Sequence, residues 1–128
     1  MIEIFIDGAC SGNPGPAAIG VVIKRNGKTI KKISRSIGSA TNNIAEYSAL
    51  LHALEEILSW KKEKIQIFTD SELVHRQVKG QYKVKDEKLK PLYQQVKSIL
   101  ENFNDISIGH VTRDKNKVAD QLATSAII

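Results

Sequence analysis

Asp7 closes a run of residues, MIEIFI, that is otherwise nearly all apolar, and Asp70 closes a second strand-like run, KIQIFT. A carboxylate at the carboxyl end of a strand lies where open α/β sheets place their ligand sites. Asp is also an ordinary turn former, so each of the two, taken singly, reads as well as the end of a strand. Glu46 falls at helical spacing with Leu50, Ala53 and Ile57, along the apolar stripe of its helix. An acid on that side needs a partner or a metal; the structural alternative is a capping box with Asn43. Asp120 sits beside Ala119 and Ala123, four residues after Asn116, and alone it reads as a surface residue. Brought to one place, four carboxylates repel and raise one another's pKa values, and divalent cations relieve that repulsion. Oxygen ligands without a Cys/His cluster favour a hard ion, Mg²⁺ or Mn²⁺. Two such ions about 4 Å apart can clamp an in-line displacement at phosphorus.

The elements that must position these acids are legible in the pattern. MIEIFID alternates as a strand, and GACSGNPGPA reads as a turn-rich loop in which Gly, Pro and Asn end that strand. AAIGVVIKR and KTIKKISRSI form two further strands around the hairpin turn Asn26-Gly27. Ile30, Ile33 and Ile37 do not alternate cleanly in the second of these, which predicts a bulge or irregularity. Thr41, Asn42 and Asn43 offer caps for a helix over IAEYSALLHALEEILSW. There follow a strand KIQIFTD, a short helix SELVHRQVK closed by Gly80, a polar connection YKVKDEK, a helix LKPLYQQVKSILENF, a strand DISIGHV and a final helix RDKNKVADQLATSAII. The order β-β-β-α-β-α-α-β-α predicts an α/β fold: a five-stranded mixed sheet, antiparallel on one side and parallel on the other, with helices on both faces.

The chain of 128 residues fits one domain, 1–128, large enough to bury a core without disulfides. It has a single Cys and no cluster with zinc spacing. No run approaches the roughly 18 apolar residues of a membrane span. The first residues carry Glu3 and Asp7 and no basic segment, unlike a signal peptide, so a cytoplasmic protein is expected. The net charge of +5 is unevenly spread. Residues 1–23 contain no Lys or Arg, residues 24–35 hold six and no acid, and residues 76–97 hold seven. Such a surface suits a polyanion, although solvated strand and helix faces look the same in sequence.

The motifs DGACSGNPGPAAIG at 7–20, TNNIAEYSALLHAL at 41–54, TDSELV at 69–74 and NKVADQLA at 116–123 together resemble type 1 ribonuclease H, over essentially the whole chain. The resemblance implies the ribonuclease H-like fold. It implies a metal-dependent endonuclease that hydrolyses the RNA strand of an RNA–DNA hybrid by a two-metal-ion mechanism, giving 5′-phosphate and 3′-hydroxyl ends. Asp7, Glu46, Asp70 and Asp120 take the places of the catalytic and metal-binding tetrad, with Asp7 shared by both ions. Asn13, Thr41, Asn42, Asn43 and Ser71 fall on positions that contact the hybrid backbone, and the loop carrying Gly8, Cys10 and Gly12 on the position that meets ribose 2′-hydroxyls. Arg113 and Asn116 complete the expected substrate-binding set. Small residues let the backbone approach a 2′-hydroxyl, the group that separates RNA from DNA.

Three features depart from the family pattern. The loop that carries a His in longer members is reduced to about Thr112–Lys115; His110 precedes it on a strand and reads as structural, which leaves Arg113 as the nearest positive group. The separate basic helix and handle of longer members is missing, and KGQYKVKDEKLK at 79–90 stands in its place. Glu72 adds an acid beside the site, or serves as a first-turn helix acid. The short form is expected to act as a monomer on hybrid, with double-stranded RNA and RNA–DNA junctions left open as further substrates. Two alternatives remain at this level: a binding module that kept the fold and lost the chemistry, and another two-metal nuclease on the same fold.

Overall fold

The computed structural model describes residues 1–127. Five strands form one sheet: β1 (Ile2–Cys10), β2 (Gly15–Arg25), β3 (Lys28–Ala40), β4 (Lys64–Thr69) and β5 (Asp105–His110). Their spatial order is β3-β2-β1-β4-β5. The β1–β2 and β2–β3 pairs are antiparallel, and the β1–β4 and β4–β5 pairs are parallel, so the expected mixed sheet is the one observed. Four α-helices accompany it: α1 (Asn42–Glu56), α2 (Glu72–Val78), α3 (Lys90–Leu100) and α4 (Lys117–Ser125). The last residue of the expected final helix, Ile128, lies outside the described residues.

The segment read as a loop after Asp7 is different. Strand β1 runs on through Gly8, Ala9 and Cys10, paired with Ile19, Ala18 and Ala17 of β2. Only residues 11–14 form the turn. Local Gly and Pro signals were outweighed by the ladder, whose cross-strand hydrogen bonds satisfy the backbone that a loop would leave to water. Asp7 therefore lies within a strand, not at its end. The predicted irregularity in β3 is two bulges: Ile23 faces Lys31 while Lys24 faces Thr29, skipping Ile30, and Ala17 faces Gly38 while Ala18 faces Ser36, skipping Ile37. The first leaves Ile30 out on the surface and Ile33 in the core.

Side chains alternate across the sheet. Ile2, Ile4 and Ile6 of β1, with Ile19, Val21 and Ile23 of β2 and Ile65 and Ile67 of β4, make the core face, covered by Leu50, Ala53, Leu54 and Ile57 from α1 and its end. Helix α4 lies on the opposite face, and Gly20 is what lets it approach. A Cβ there would stand 2.1 Å from the Ala119 carbonyl oxygen and 2.7 Å from the Ala123 nitrogen. Both are backbone atoms, so no side chain can swing aside. Gly20→Ala should therefore push α4 off the sheet. We expect overpacking to cost about 1–3 kcal/mol, a fall in melting temperature of roughly 5 °C or more in a domain of this size. An unchanged thermal melt by circular dichroism would contradict that contact.

Candidate active site

The site begins with a second close approach. A Cβ on Gly8 would lie 2.2 Å from the Ala45 carbonyl carbon, so the first turn of α1 rests directly on the backbone of β1. That contact delivers Glu46, whose Oε1 accepts the Gly8 N–H at 2.5 Å. The Asn43–Glu46 capping box is thus not formed. Thr41 is the N-cap, its Oγ1 accepting the Ile44 N–H at 3.2 Å, and Glu46 is turned to the sheet instead. Asp7 also receives the Gly8 N–H, at 3.0 Å on Oδ1. Asp70 follows directly on β4, beside β1 in the parallel ladder.

Asp7, Glu46 and Asp70 each offer a carboxylate oxygen, and these oxygens all lie within 4.8 Å of one another. Asp7 is 6% exposed. Burial, then the charges of Glu46 and Asp70, push its pKa up from 3.8 to about 9, with side-chain hydrogen bonds to Glu46 and Asp120 adding to the rise. Burial also raises Glu46, to about 7, against the opposing effects of its hydrogen bonds with Asp7 and Gly8. Asp70 adds to that rise and Arg113 offsets part of it. Without a cation, the pair holds a proton that neither carboxylate gives up readily. The donor set is all oxygen, crowded and short of positive charge, which fits a hard divalent ion.

The acids open into a cleft of about 280 Å³ lined by Asp7, Gly8, Ala9, Cys10, Asn42, Asn43, Glu46, Ser71, Arg113 and Asp120. Three of the four expected acids, Asp7, Glu46 and Asp120, therefore line this cleft, Asp120 brought in by the first turn of α4; Asp70 is not among the lining residues and joins the site through its tight group with Asp7 and Glu46, from which Asp120 stands apart. Gly8, Cys10, Asn42, Asn43, Ser71 and Arg113 of the expected substrate set line it as well. Gly12, Asn13 and Thr41 are not among the lining residues. Gly12 takes the left-handed conformation that the turn requires (φ 85°), and Asn13 Oδ1 accepts the Asn42 N–H at 3.0 Å, tying the turn to α1. The first-turn N–H groups of Asn42 and Ile44 are thus already taken by Asn13 and Thr41, and the Asn42 and Asn43 residues themselves face the cleft. Cys10 Sγ lies against Asn42 Oδ1 and the Gly12 carbonyl, which occupies its thiol.

Asn116 differs from its expected role. It is 2% exposed and behind the acids, donating from Nδ2 to the Ile6 carbonyl at 2.8 Å and to Asp70 Oδ2 at 3.2 Å. Burial keeps it from substrate, and its contacts make it a positioning residue for Asp70. No sequence pattern marks that, because Ile6 and Asn116, 110 positions apart, are brought together only by the fold. Ala9 lines the cleft without having been singled out; its place in β1 next to Gly8 was the available signal. Glu72 is resolved as a first-turn acid, paired with Arg76 at 2.8 Å. His110 packs against His75, ring centres 5.9 Å apart, rather than entering the cleft.

A sheet in this order carrying three clustered acids defines a class already visible in the motifs, and comparison with known proteins agrees. A family model described as reverse transcriptase-like matches residues 5–126. A ribonuclease H of Bradyrhizobium sp. (strain ORS 278) is 32% identical over 99% of this chain and 90% of its own. The chain belongs to the ribonuclease H family. A ribonuclease HI of Halobacterium salinarum is 39% identical over 98% of this chain, which spans 64% of that relative's length. The crystal structure of LC11-RNase H1 in complex with RNA/DNA hybrid is similar at 41% identity, with a TM-score of 0.93 over 99% of this chain and 96% of that one.

Proposed function

We propose that this chain is a ribonuclease H that hydrolyses the RNA strand of RNA–DNA hybrids, using Mg²⁺ or Mn²⁺ held by Asp7, Glu46 and Asp70 with Asp120 completing the set. The observation that carries the reading is the cluster of three carboxylate oxygens within 4.8 Å at the end of the sheet. A binding module without chemistry has no use for buried acids that raise one another's pKa values. When bound, the ions supply Lewis acidity to the attacking water and the leaving 3′-oxygen, which gives 5′-phosphate and 3′-hydroxyl products. The chain's own residues do the rest. Gly8, Ala9 and Cys10 present an edge of backbone without bulky side chains, where a ribose 2′-hydroxyl can be met. Asn42, Asn43 and Ser71 offer polar groups to the backbone of the hybrid, and Arg113 offers a positive group to the phosphate. Asn116 holds Asp70 in place from behind.

The test is a cleavage assay on labelled hybrid, duplex RNA and junction substrates, each with Mg²⁺, Mn²⁺ or EDTA. Cutting of the RNA strand of the hybrid with either ion and none in EDTA is expected. An inert hybrid under all three conditions would overturn the reading. Residues 1–128 would serve as one catalytic domain, acting as a monomer; a single cysteine, Cys10, without a disulfide suits the reducing cytosol assigned here. Among the described residues, no helix is long and apolar enough to cross a membrane.

Grip on the hybrid should rest partly on the connection that replaces the basic handle. Lys90 in this region is paired with Glu87 at 2.8 Å, whereas Lys83, Lys85 and Lys88 have no ion-pair partner among the described residues. Each phosphate contact contributes roughly 0.7–0.9 to the slope of log K against log salt. If all three lysines touch phosphates, replacing them with Ala should flatten that slope by about 2.1–2.7, while turnover of saturating substrate stays near the wild-type rate. A slope equal to that of the wild type in KCl titrations would leave them as solvated surface.

A further inference from the structure

Residues 79–89 run from α2 to α3 and belong to no helix or strand. No ladder holds this connection, yet Leu89 is buried and Val84 packs against the core, while Lys83 and Lys85 on either side of Val84 are exposed. The end of α2 is what fixes it. Gly80 takes the left-handed conformation (φ 80°) that turns the chain back along the helix. The Arg76 carbonyl accepts the Gln81 and Tyr82 N–H groups at 2.8 and 3.2 Å, and the Arg76 guanidinium stands over the exposed Tyr82 ring, 5.4 Å from its centre. The next residue works from inside. Gln77 is 4% exposed; its Oε1 accepts the Tyr47 hydroxyl at 2.6 Å, and its Nε2 donates to the Lys83 carbonyl at 3.4 Å. Tyr47 is fully buried on α1, and that burial raises its pKa, so the hydroxyl stays a donor. Val74 and Val78 of α2 are buried as apolar residues, and a Leu or Met at 77 would fill the space without requiring partners for an amide. The amide is satisfied at one end by the core and at the other by the connection.

We propose that Gln77 is a positioning residue for hybrid binding: by holding the Lys83 carbonyl it fixes the 79–89 connection, so that Lys83 and Lys85 meet the phosphates of a bound hybrid. The choice of hybrid as the ligand rests on the ribonuclease H reading. Helix α2 sets the register between grip and chemistry. Its N-cap is Ser71, next to Asp70, whose Oγ accepts the Val74 N–H at 3.2 Å. Six steps of 1.5 Å from Ser71 place Gln77 roughly 9 Å along the helix axis from that cap. One helix thus carries Asp70 before its first turn and the anchor of the connection in its last. A lysine on an untied connection would spend its phosphate contact on ordering the chain, whereas one on a tied connection keeps it for binding.

Two variants test this. Gln77→Met keeps the volume of the side chain and removes both bonds; Tyr47→Phe keeps the buried ring and frees the amide from α1. Each is compared with the wild type in hybrid binding in EDTA over a series of KCl concentrations, in kcat and KM for hybrid cleavage with Mg²⁺, and in a thermal melt. In Gln77→Met the KM should rise about two- to tenfold, the equivalent of one hydrogen bond. The salt slope should flatten by about 0.7 or more, at least one phosphate contact, and kcat should stay at the wild-type value. Tyr47→Phe should move KM and slope in the same direction by less. In the background Lys83→Ala/Lys85→Ala/Lys88→Ala, Gln77→Met should raise KM no further, because the groups it places are gone. A folded Gln77→Met with a lower melting temperature but wild-type KM and slope has lost only packing and would overturn the proposal. An equal rise in KM in the lysine-free background would overturn it too. Should Gln77→Met fail to fold, Tyr47→Phe decides by the same two readouts. A wild type that binds hybrid without cutting it counts against the ribonuclease H reading alone, since the slopes in EDTA still test Gln77; a wild type that binds no hybrid ends both.

Discussion

Asp7→Asn is expected to lose cleavage by about a thousandfold or more, the several kilocalories per mole that a metal centre supplies to the transition state, while hybrid binding stays close to that of the wild type. Asp7 is the acid whose carboxyl interacts with the other three, Glu46 and Asp70 by charge and Glu46 and Asp120 by hydrogen bond. The amide keeps the shape and most of the packing of the buried side chain but cannot carry the negative charge that holds a divalent ion. Binding rests on other groups, the polar residues of the cleft and Arg113. The measurement is single-turnover cleavage beside hybrid binding in EDTA. Retention of more than a few per cent of the wild-type rate would remove Asp7 from the metal centre. Equal loss of binding and cleavage would make it a folding residue.

The second large effect is on stability, and its sign follows from the raised pKa. In the unfolded chain Asp7 ionises near 3.8, but in the metal-free folded protein near 9. Below about pH 4 both states hold the proton, and this group's favourable contribution is fully present. As pH rises from there toward about 9, the unfolded state gives up its proton and the folded state does not, so stability falls. Glu46, raised to about 7, works in the same direction. Asp7→Asn removes the main contributor. In EDTA at pH 8 the variant should melt at least about 5 °C above the wild type, and the gap should close toward pH 4. Mg²⁺ should reverse the order, because an ion at about a hundred times its Kd stabilises the protein it binds by roughly 2.7 kcal/mol and the variant hardly at all. A gap that does not vary with pH, or equal Mg²⁺ shifts in both proteins, would show that the acids do not act as one site.

Much of this was legible in the sequence because the signals are local. Apolar alternation in MIEIFI and KIQIF, the Asn26-Gly27 turn and the Thr41 cap each act over a few residues, and together they determine the element order. Asp7, Glu46 and Asp70 stood out because each follows or joins an apolar run where an uncompensated charge is costly; Asp120 reads alone as a surface residue and was picked out by the motif around it, and the long motifs together were enough to assign the family. The spacing of Ile30 and Ile33 foretold a bulge, though not that Ile37 would be a second. What only the tertiary structure decided depends on contacts between distant parts of the chain. The extension of β1 to Cys10 was decided by pairing with Ala17–Ile19, which outweighed the turn preference of Gly8. Glu46 left the capping box because Gly8 admits α1 close enough for its carboxylate to reach a β1 amide. Asn116 moved from the substrate face to a buried post behind Asp70 because α4 is drawn onto the sheet at Gly20. Local propensity selects the elements, but where a side chain ends up is set by which backbones can touch, and here two glycines separated from their partners by tens of residues made that choice.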